Sequence, residues 1–173
     1  MLPGVTFILG GAASGKSEFA EELVKSSGLP MVYIATSQVL DAEMETKRAR
    51  HAARRGPGWT LIEASADTEA ALAGLPQGSA ALLDCATMWL ANRMEQGADL
   101  EAATAALIAA IDACPARLVI VSNETGQGIV PENALARRFR EAQGRLNIRL
   151  AARADLAVQV VAGLPLVLKG RLP

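Results

Sequence analysis

The octapeptide Gly10-Gly11-Ala12-Ala13-Ser14-Gly15-Lys16-Ser17 constrains this 173-residue chain more than any other stretch. It satisfies G-x-x-x-x-G-K-[ST] at every fixed position, and its flanks are those the motif needs. The preceding run Val5-Thr6-Phe7-Ile8-Leu9 is β-branched and apolar, as in a buried strand. The following run, Ser17 to Lys25, sets Phe19, Ala20, Leu23 and Val24 along one helical face. Strand, glycine loop and helix together turn consecutive backbone N–H groups toward an anion. The helix N-terminus adds partial positive charge, and Lys16 adds a full one. Ser17 has the hydroxyl that a Mg²⁺ ion requires. A chain of this kind is expected to bind a nucleoside triphosphate.

The length suits one domain, residues 1–173, with a sizeable core. Aromatic residues are only 3% against 51% hydrophobic, so the core must be built from Ala, Leu, Val and Ile. A net charge of −1 argues against a nucleic-acid partner, which calls for a basic surface. Cys85 and Cys114 fit no disulfide framework or zinc spacing and read as small buried apolar residues. No run reaches the length of a membrane span. The apolar start runs into the phosphate loop without a basic leader, so the expected location is cytoplasmic.

Apolar runs alternate with helical patterns along the chain. Strands are expected at Met31 to Ala35, Trp59 to Ile62, Ala80 to Leu83 and Leu118 to Val121. Helices are expected at Ala42 to Arg54, Thr68 to Ala73, Thr87 to Met94 and Leu100 to Cys114. That alternation predicts an α/β fold, a mostly parallel sheet flanked by helices. From Glu132 to Arg153 a long helical pattern aligns Leu135, Phe139, Ala142, Leu146 and Leu150. Leu156 to Val161, a turn around Gly163-Leu164-Pro165, and Leu166 to Lys169 read as a hairpin at the sheet edge.

Four further constellations can carry chemistry. Asp84 closes an apolar strand, where α/β sheets bind ligands and a magnesium-ordering acid belongs; it equally suits an N-cap for the next helix. His51, the only histidine, sits among Lys47, Arg48, Arg50, Arg54 and Arg55. Those cations would keep the imidazole neutral and hold a triphosphate for attack at phosphorus; a histidine on a solvated basic helix is the plainer alternative. The polar, Gly-rich loop Asn123 to Pro131 follows a strand, so it is either a substrate loop or an ordinary connection, with Pro131 poised to start the helix. Arg137, Arg138, Arg140, Arg145 and Arg149 read mainly as a solvated helix face.

Together these motifs resemble the bifunctional adenosylcobinamide kinase / adenosylcobinamide-phosphate guanylyltransferase family. The resemblance covers nearly the whole chain. It runs through the phosphate loop, Tyr33-Ile34-Ala35-Thr36-Ser37, Asp41 to Met44, His51 with Arg54 and Arg55, and Leu82-Leu83-Asp84-Cys85. Its most distinctive stretch is Ser122 to Asn133, leading into Ala136 to Arg140 and Gly144 to Asn147. It implies a P-loop NTPase fold of the RecA type. It also implies phosphorylation of adenosylcobinamide by ATP or GTP, then transfer of GMP from GTP through a guanylyl-histidine to give adenosylcobinamide-GDP and pyrophosphate. By position, His51 is the guanylylated nucleophile and Lys16 counters charge on the phosphates. Gly10 to Ser17, Ala35, Thr36, Ser37, Ala52, Ala53, Arg54, Arg55, Glu63 and Asp84 fall where the family contacts nucleotide, with Ser17 and Asp84 toward Mg²⁺. A homotrimer is implied as well. Two positions depart from the pattern: Ala13 stands where the family often has Arg, and Asp84 where it has Glu. The competing expectation is a P-loop small-molecule kinase without the guanylyltransferase step, which would leave His51 idle.

Overall fold

The computed structural model describes residues 1–38, 46, 49, 53 and 55–173. The elements in order are β1 (Val5–Gly10), α1 (Lys16–Ser26), β2 (Met31–Ala35), β3 (Trp59–Glu63), α2 (Thr68–Ala73) and β4 (Ala80–Asp84). They continue with α3 (Ala86–Glu95), α4 (Leu100–Ala113), β5 (Arg117–Asn123), α5 (Ala134–Arg153), β6 (Leu156–Val161) and β7 (Leu164–Lys169). The expected helix from Ala42 to Arg54 falls largely outside the described residues.

The strands form one seven-stranded sheet in the order β3-β2-β4-β5-β1-β6-β7. All neighbours pair in parallel except β6 and β7, which form the expected antiparallel hairpin at the edge. Central strands are covered on both faces, which is why they read as continuous apolar runs rather than alternating ones. One face, carrying Ile8, Leu82, Val119, Val121 and Val158, packs on Ala20, Leu23 and Val24 of α1. The other, carrying Phe7, Ile34, Leu83, Leu118 and Ile120, packs on Leu72, Trp89, Leu90, Leu107, Ile111, Leu146 and Leu150 of α2 to α5. Adjacent strand residues point to opposite faces, so each strand serves both cores.

Local chemistry shifts several expected boundaries. The long helix begins at Ala134, because the Asn133 side chain accepts from the N–H groups of Leu135 and Ala136 and caps it; Pro131 lies outside. Leu135 leaves the expected buried stripe: it sits in the first turn, beyond the sheet, and is 63% exposed. The hairpin turn is Ala162-Gly163, both at positive φ, so Leu164 and Pro165 belong to β7. Cys85 is buried as expected, whereas Cys114 is only partly so at the end of α4.

Candidate active site

The phosphate loop leaves β1 at Gly10 and enters α1 at Lys16. Glycine is required at both ends. A Cβ on Gly10 would lie 2.4 Å from Ser14 Oγ and 2.8 Å from the Val160 carbonyl. Gly15 has φ +89°, and a Cβ there would meet Gly163 Cα at 3.0 Å. The curl is held by Ser14 N–H donating to Gly11 O at 3.3 Å and by Gly163 N–H donating to Ser14 O at 2.8 Å. Lys16 is buried, with Nζ donating to Gly11 O at 3.1 Å. Ser14 Oγ is buried and has no hydrogen-bond partner among the described residues. A buried hydroxyl without a partner in a concave loop of amides is a ready donor to a phosphate oxygen.

The acid rim is built by strand register. Ala35 of β2 is paired with both Glu63 of β3 and Asp84 of β4, so the three end in one row at the carboxyl edge of the sheet. Glu63, on the edge strand, is exposed; Asp84, nearer the centre, is half-buried. The Tyr33 hydroxyl donates to Asp84 Oδ2 at 3.0 Å. Burial above all, and next the Asp84 charge, hold the Tyr33 phenol in its neutral form by raising its pKa. Arg55 is buried with its guanidinium 3.5 Å from the Tyr33 ring centroid, and Trp59 meets that ring edge-on at 6.2 Å.

Asp84 does not cap the following helix. Cys85 occupies the N-cap position of α3, and no side chain caps it. Cys85 is held from elsewhere: Thr36 Oγ1 donates to the Cys85 carbonyl at 2.7 Å and accepts from its N–H at 2.8 Å. Asn92 Nδ2 then donates to Thr36 O at 2.8 Å and Ser65 O at 3.0 Å, tying the β2 and β3 exits to α3. Burial pushes the Cys85 thiol up to about 11, against a smaller opposing effect of the Lys16 charge. Lys16 and the β4 exit therefore share one electrostatic neighbourhood.

The loop after β5 is tied to the same rim. Glu124 N–H donates to Gly10 O at 3.0 Å, and Asn123 N–H donates to Thr87 Oγ1 at 2.8 Å. Beneath it lies a buried network in which Ser122 Oγ meets Asn147 Oδ1 at 2.6 Å and Gln143 Nε2 donates to both at 2.9 Å. Two of the helix arginines also bind backbone carbonyls of the loop. Arg140 donates to the carbonyls of Gly126, Gly128 and Ile129, and Arg137 to those of Pro131 and Glu132. Arg145 and Arg149 make exposed ion pairs with Glu141 and Glu101, consistent with the plainer reading.

The fold thus gathers Gly10 to Ser17, Ala35, Thr36, Ser37, Glu63 and Asp84 at one end of the sheet. Ala53 is exposed, and Arg55 is buried against Tyr33. His51, Ala52 and Arg54 lie outside the described residues. Sequence reasoning missed the hydroxyl of Tyr33, the amide of Asn92 and the loop-binding role of Arg137 and Arg140. The first two act across 51 and 56 residues of chain, which leaves no local signal.

Among the described residues no group of three His, Cys, Asp or Glu could hold a metal by itself. Ser17 and Asp84 nevertheless offer hard oxygen donors, and Mg²⁺ ordinarily completes its octahedron with substrate phosphates and water. The donor set fits that ion when nucleotide is bound.

A solved structure, the RadB recombinase, superposes with a TM-score of 0.54 at 16% identity, covering 91% of this chain and 74% of that one. That likeness shows the fold, a P-loop NTPase sheet of the RecA type. Curated relatives match far more closely in sequence. The bifunctional adenosylcobalamin biosynthesis protein CobP of Pseudomonas aeruginosa is 42% identical over 166 residues, covering 94% of this chain and 96% of its own. The bifunctional adenosylcobalamin biosynthesis protein CobU of Salmonella typhimurium is 40% identical, covering 94% and 98%. The family model for cobinamide kinase / cobinamide phosphate guanyltransferase matches residues 6–168. With that match running from the strand before the phosphate loop into the last strand of the hairpin, the chain belongs to the cobinamide kinase / cobinamide phosphate guanyltransferase family.

Proposed function

We propose that this chain catalyses two successive transfers on one corrinoid. In the first, the hydroxyl on the aminopropanol arm of adenosylcobinamide attacks the γ-phosphorus of ATP or GTP. The new O–P bond forms as the bond to the bridging oxygen breaks, releasing the nucleoside diphosphate and the hydroxyl proton. In the second, an imidazole nitrogen of His51 attacks the α-phosphorus of GTP and expels pyrophosphate, leaving GMP on the ring. A phosphate oxygen of adenosylcobinamide phosphate then displaces the imidazole, giving adenosylcobinamide-GDP and free His51. Splitting the second transfer at histidine turns one difficult displacement into two easier ones.

The observation that carries this reading is Lys16, buried at the start of α1 with its Nζ held on the Gly11 carbonyl, within a chain whose residues 6–168 match the family. Charge placed before the reaction stabilises phosphoryl transfer at no reorganisation cost. Ser17 and Asp84 would hold Mg²⁺, which when bound screens phosphate charge. Tyr33 orients the Asp84 carboxylate, and Thr36 fixes the backbone beside it. Ala35, Ser37, Ala52, Ala53, Arg54, Arg55 and Glu63 complete the nucleotide contacts in this proposal. The working assembly is a homotrimer in the cytoplasm, with neighbouring subunits contributing to each site.

The test is incubation with Mg²⁺ and GTP labelled at the α-phosphorus, beside His51→Ala. Acid-labile, base-stable label on denatured wild type and none on the variant is the expected result. Absence of label in folded, GTP-binding wild type would leave only the kinase step.

A further inference from the structure

The polar loop after β5 brings a carboxylate to the margin of the phosphate loop. In the sheet order β5 stands between β4, which ends at Asp84, and β1, which ends at Gly10. Pairing sets Asp84 level with Val121, and Gly10 level with Asn123. Glu124 therefore stands just outboard of the first glycine of the phosphate loop, and three residues beyond the level of Asp84. Its N–H donates to Gly10 O at 3.0 Å, so its backbone touches the phosphate loop directly.

That position is fixed from both sides. Before it, Asn123 N–H donates to Thr87 Oγ1 at 2.8 Å, and Asn147 Nδ2 donates to Asn123 O at 3.2 Å. After it, the Arg140 guanidinium binds Gly126 O. The Glu124 carboxylate folds back on its own loop, Oε1 accepting from the Gly126 N–H, which leaves Oε2 without a hydrogen-bond partner among the described residues. Other carboxylates near the rim are committed or misplaced. Asp84 holds the Tyr33 hydroxyl and, in the function proposed above, Mg²⁺. Glu63 lies four strands from β1, about 19 Å at the usual strand spacing. Glu18 lies beside Gly15 where the loop meets the β6–β7 hairpin, on the opposite flank of β1.

Phosphoryl transfer to an alcohol needs a group that takes the hydroxyl proton as the new bond forms. Transfer to a phosphate, already ionised, needs none. We propose that Glu124 is the general base of the kinase step. Its carboxylate accepts the proton of the adenosylcobinamide hydroxyl as that oxygen bonds to the γ-phosphorus and the bond to the bridging oxygen breaks. The nucleoside diphosphate leaves, and the carboxylic acid returns its proton to water. This rests on the function proposed above and assigns a residue to its first transfer alone.

The test is Glu124→Gln, which keeps an oxygen to accept from the Gly126 N–H and removes only the basicity. Phosphorylation of adenosylcobinamide is measured with corrinoid, nucleotide and Mg²⁺ each varied. Two reactions that remove no hydroxyl proton run beside it: labelling of the protein by GTP labelled at the α-phosphorus, and GMP transfer to adenosylcobinamide phosphate. Kinase kcat is expected to fall about a hundredfold, the usual worth of a positioned base. Both KM values, the Mg²⁺ requirement and both GMP transfers should stay at wild-type values, and the intact label also shows that the variant is folded. A kinase kcat close to wild type overturns the proposal. So does a loss that excess corrinoid, nucleotide or Mg²⁺ restores, because Glu124 would then be a ligand for one of them. So does a parallel loss of both GMP transfers, the mark of a residue that only shapes the loop. Wild type that binds GTP but never phosphorylates adenosylcobinamide would instead bring down the proposed function, and this inference with it.

Discussion

The Tyr33 hydroxyl donates to Asp84 Oδ2 at 3.0 Å, fixing the carboxylate at the rim from the neighbouring strand. Tyr33 itself is clamped between the Arg55 guanidinium and the edge of Trp59. Removing only the hydroxyl, in Tyr33→Phe, keeps both ring contacts and frees Asp84. Expected losses are about 1–2 kcal/mol of stability in urea unfolding, since the bond is charge-assisted but only half-buried. The Mg²⁺ concentration needed for half-maximal kinase activity should rise, whereas Trp59→Phe, which leaves the Tyr33–Asp84 bond alone, should not move it.

Glycine at the two ends of the phosphate loop answers to different constraints. Gly10→Ala places a methyl against a backbone carbonyl and a side-chain hydroxyl, so β1 must shift from β6. Gly15→Ala meets the hairpin tip and also pays for left-handed backbone, about 1–3 kcal/mol. Both should abolish measurable nucleotide binding by calorimetry. Gly11→Ala, whose Cβ would meet nothing within 4 Å, should retain it.

Alkaline stability depends on Cys85. Its folded pKa is raised to about 11, chiefly by burial, above the ordinary value of 9.0. The stabilisation is therefore complete below pH 9 and is lost as the unfolded thiol ionises between pH 9 and about 11. The loss should be on the order of 2 kcal/mol, read as a falling urea midpoint. Cys85→Ala should flatten that slope while leaving the decline above pH 10 that the neutral Tyr33 phenol also produces.

Arg140→Ala should loosen the loop it holds without unfolding the helix it sits on. Backbone amides from 125 to 130 are expected to exchange faster with solvent by an order of magnitude or more, those of α5 unchanged. Arg140→Lys should rescue little, because one ammonium cannot reproduce a planar fork spread over three carbonyls.

Legibility in the sequence followed the range of the interactions involved. β1, the phosphate loop and α1 are contiguous, and residue order alone placed them. The hairpin was equally plain, although its turn proved to be Ala162-Gly163, because a two-residue turn needs positive φ where Pro165 cannot supply it. Asp84 stood out as a strand-end acid, but its alternative role as a helix cap was settled only by seeing Cys85 take that position. Arg140 looked like any exposed cation on a helix. Its target carbonyls lie 11 to 14 residues upstream, a distance at which helical periodicity carries no information. The sheet order was likewise hidden, since parallel strands pair through crossovers that any of several sequences of neighbours could satisfy.

The position of β1 between β5 and β6 has a consequence for biosynthesis. The strand that presents the phosphate loop is made long before either of its hydrogen-bonding neighbours, which come at residues 117–123 and 156–161. While the ribosome works through the intervening residues, an apolar strand with two unsatisfied edges must wait. Contacts of such long sequence separation form slowly and leave nascent chains open to aggregation. Nucleotide binding competence should accordingly appear all at once, after Val161 has emerged, and not grow stepwise with chain length.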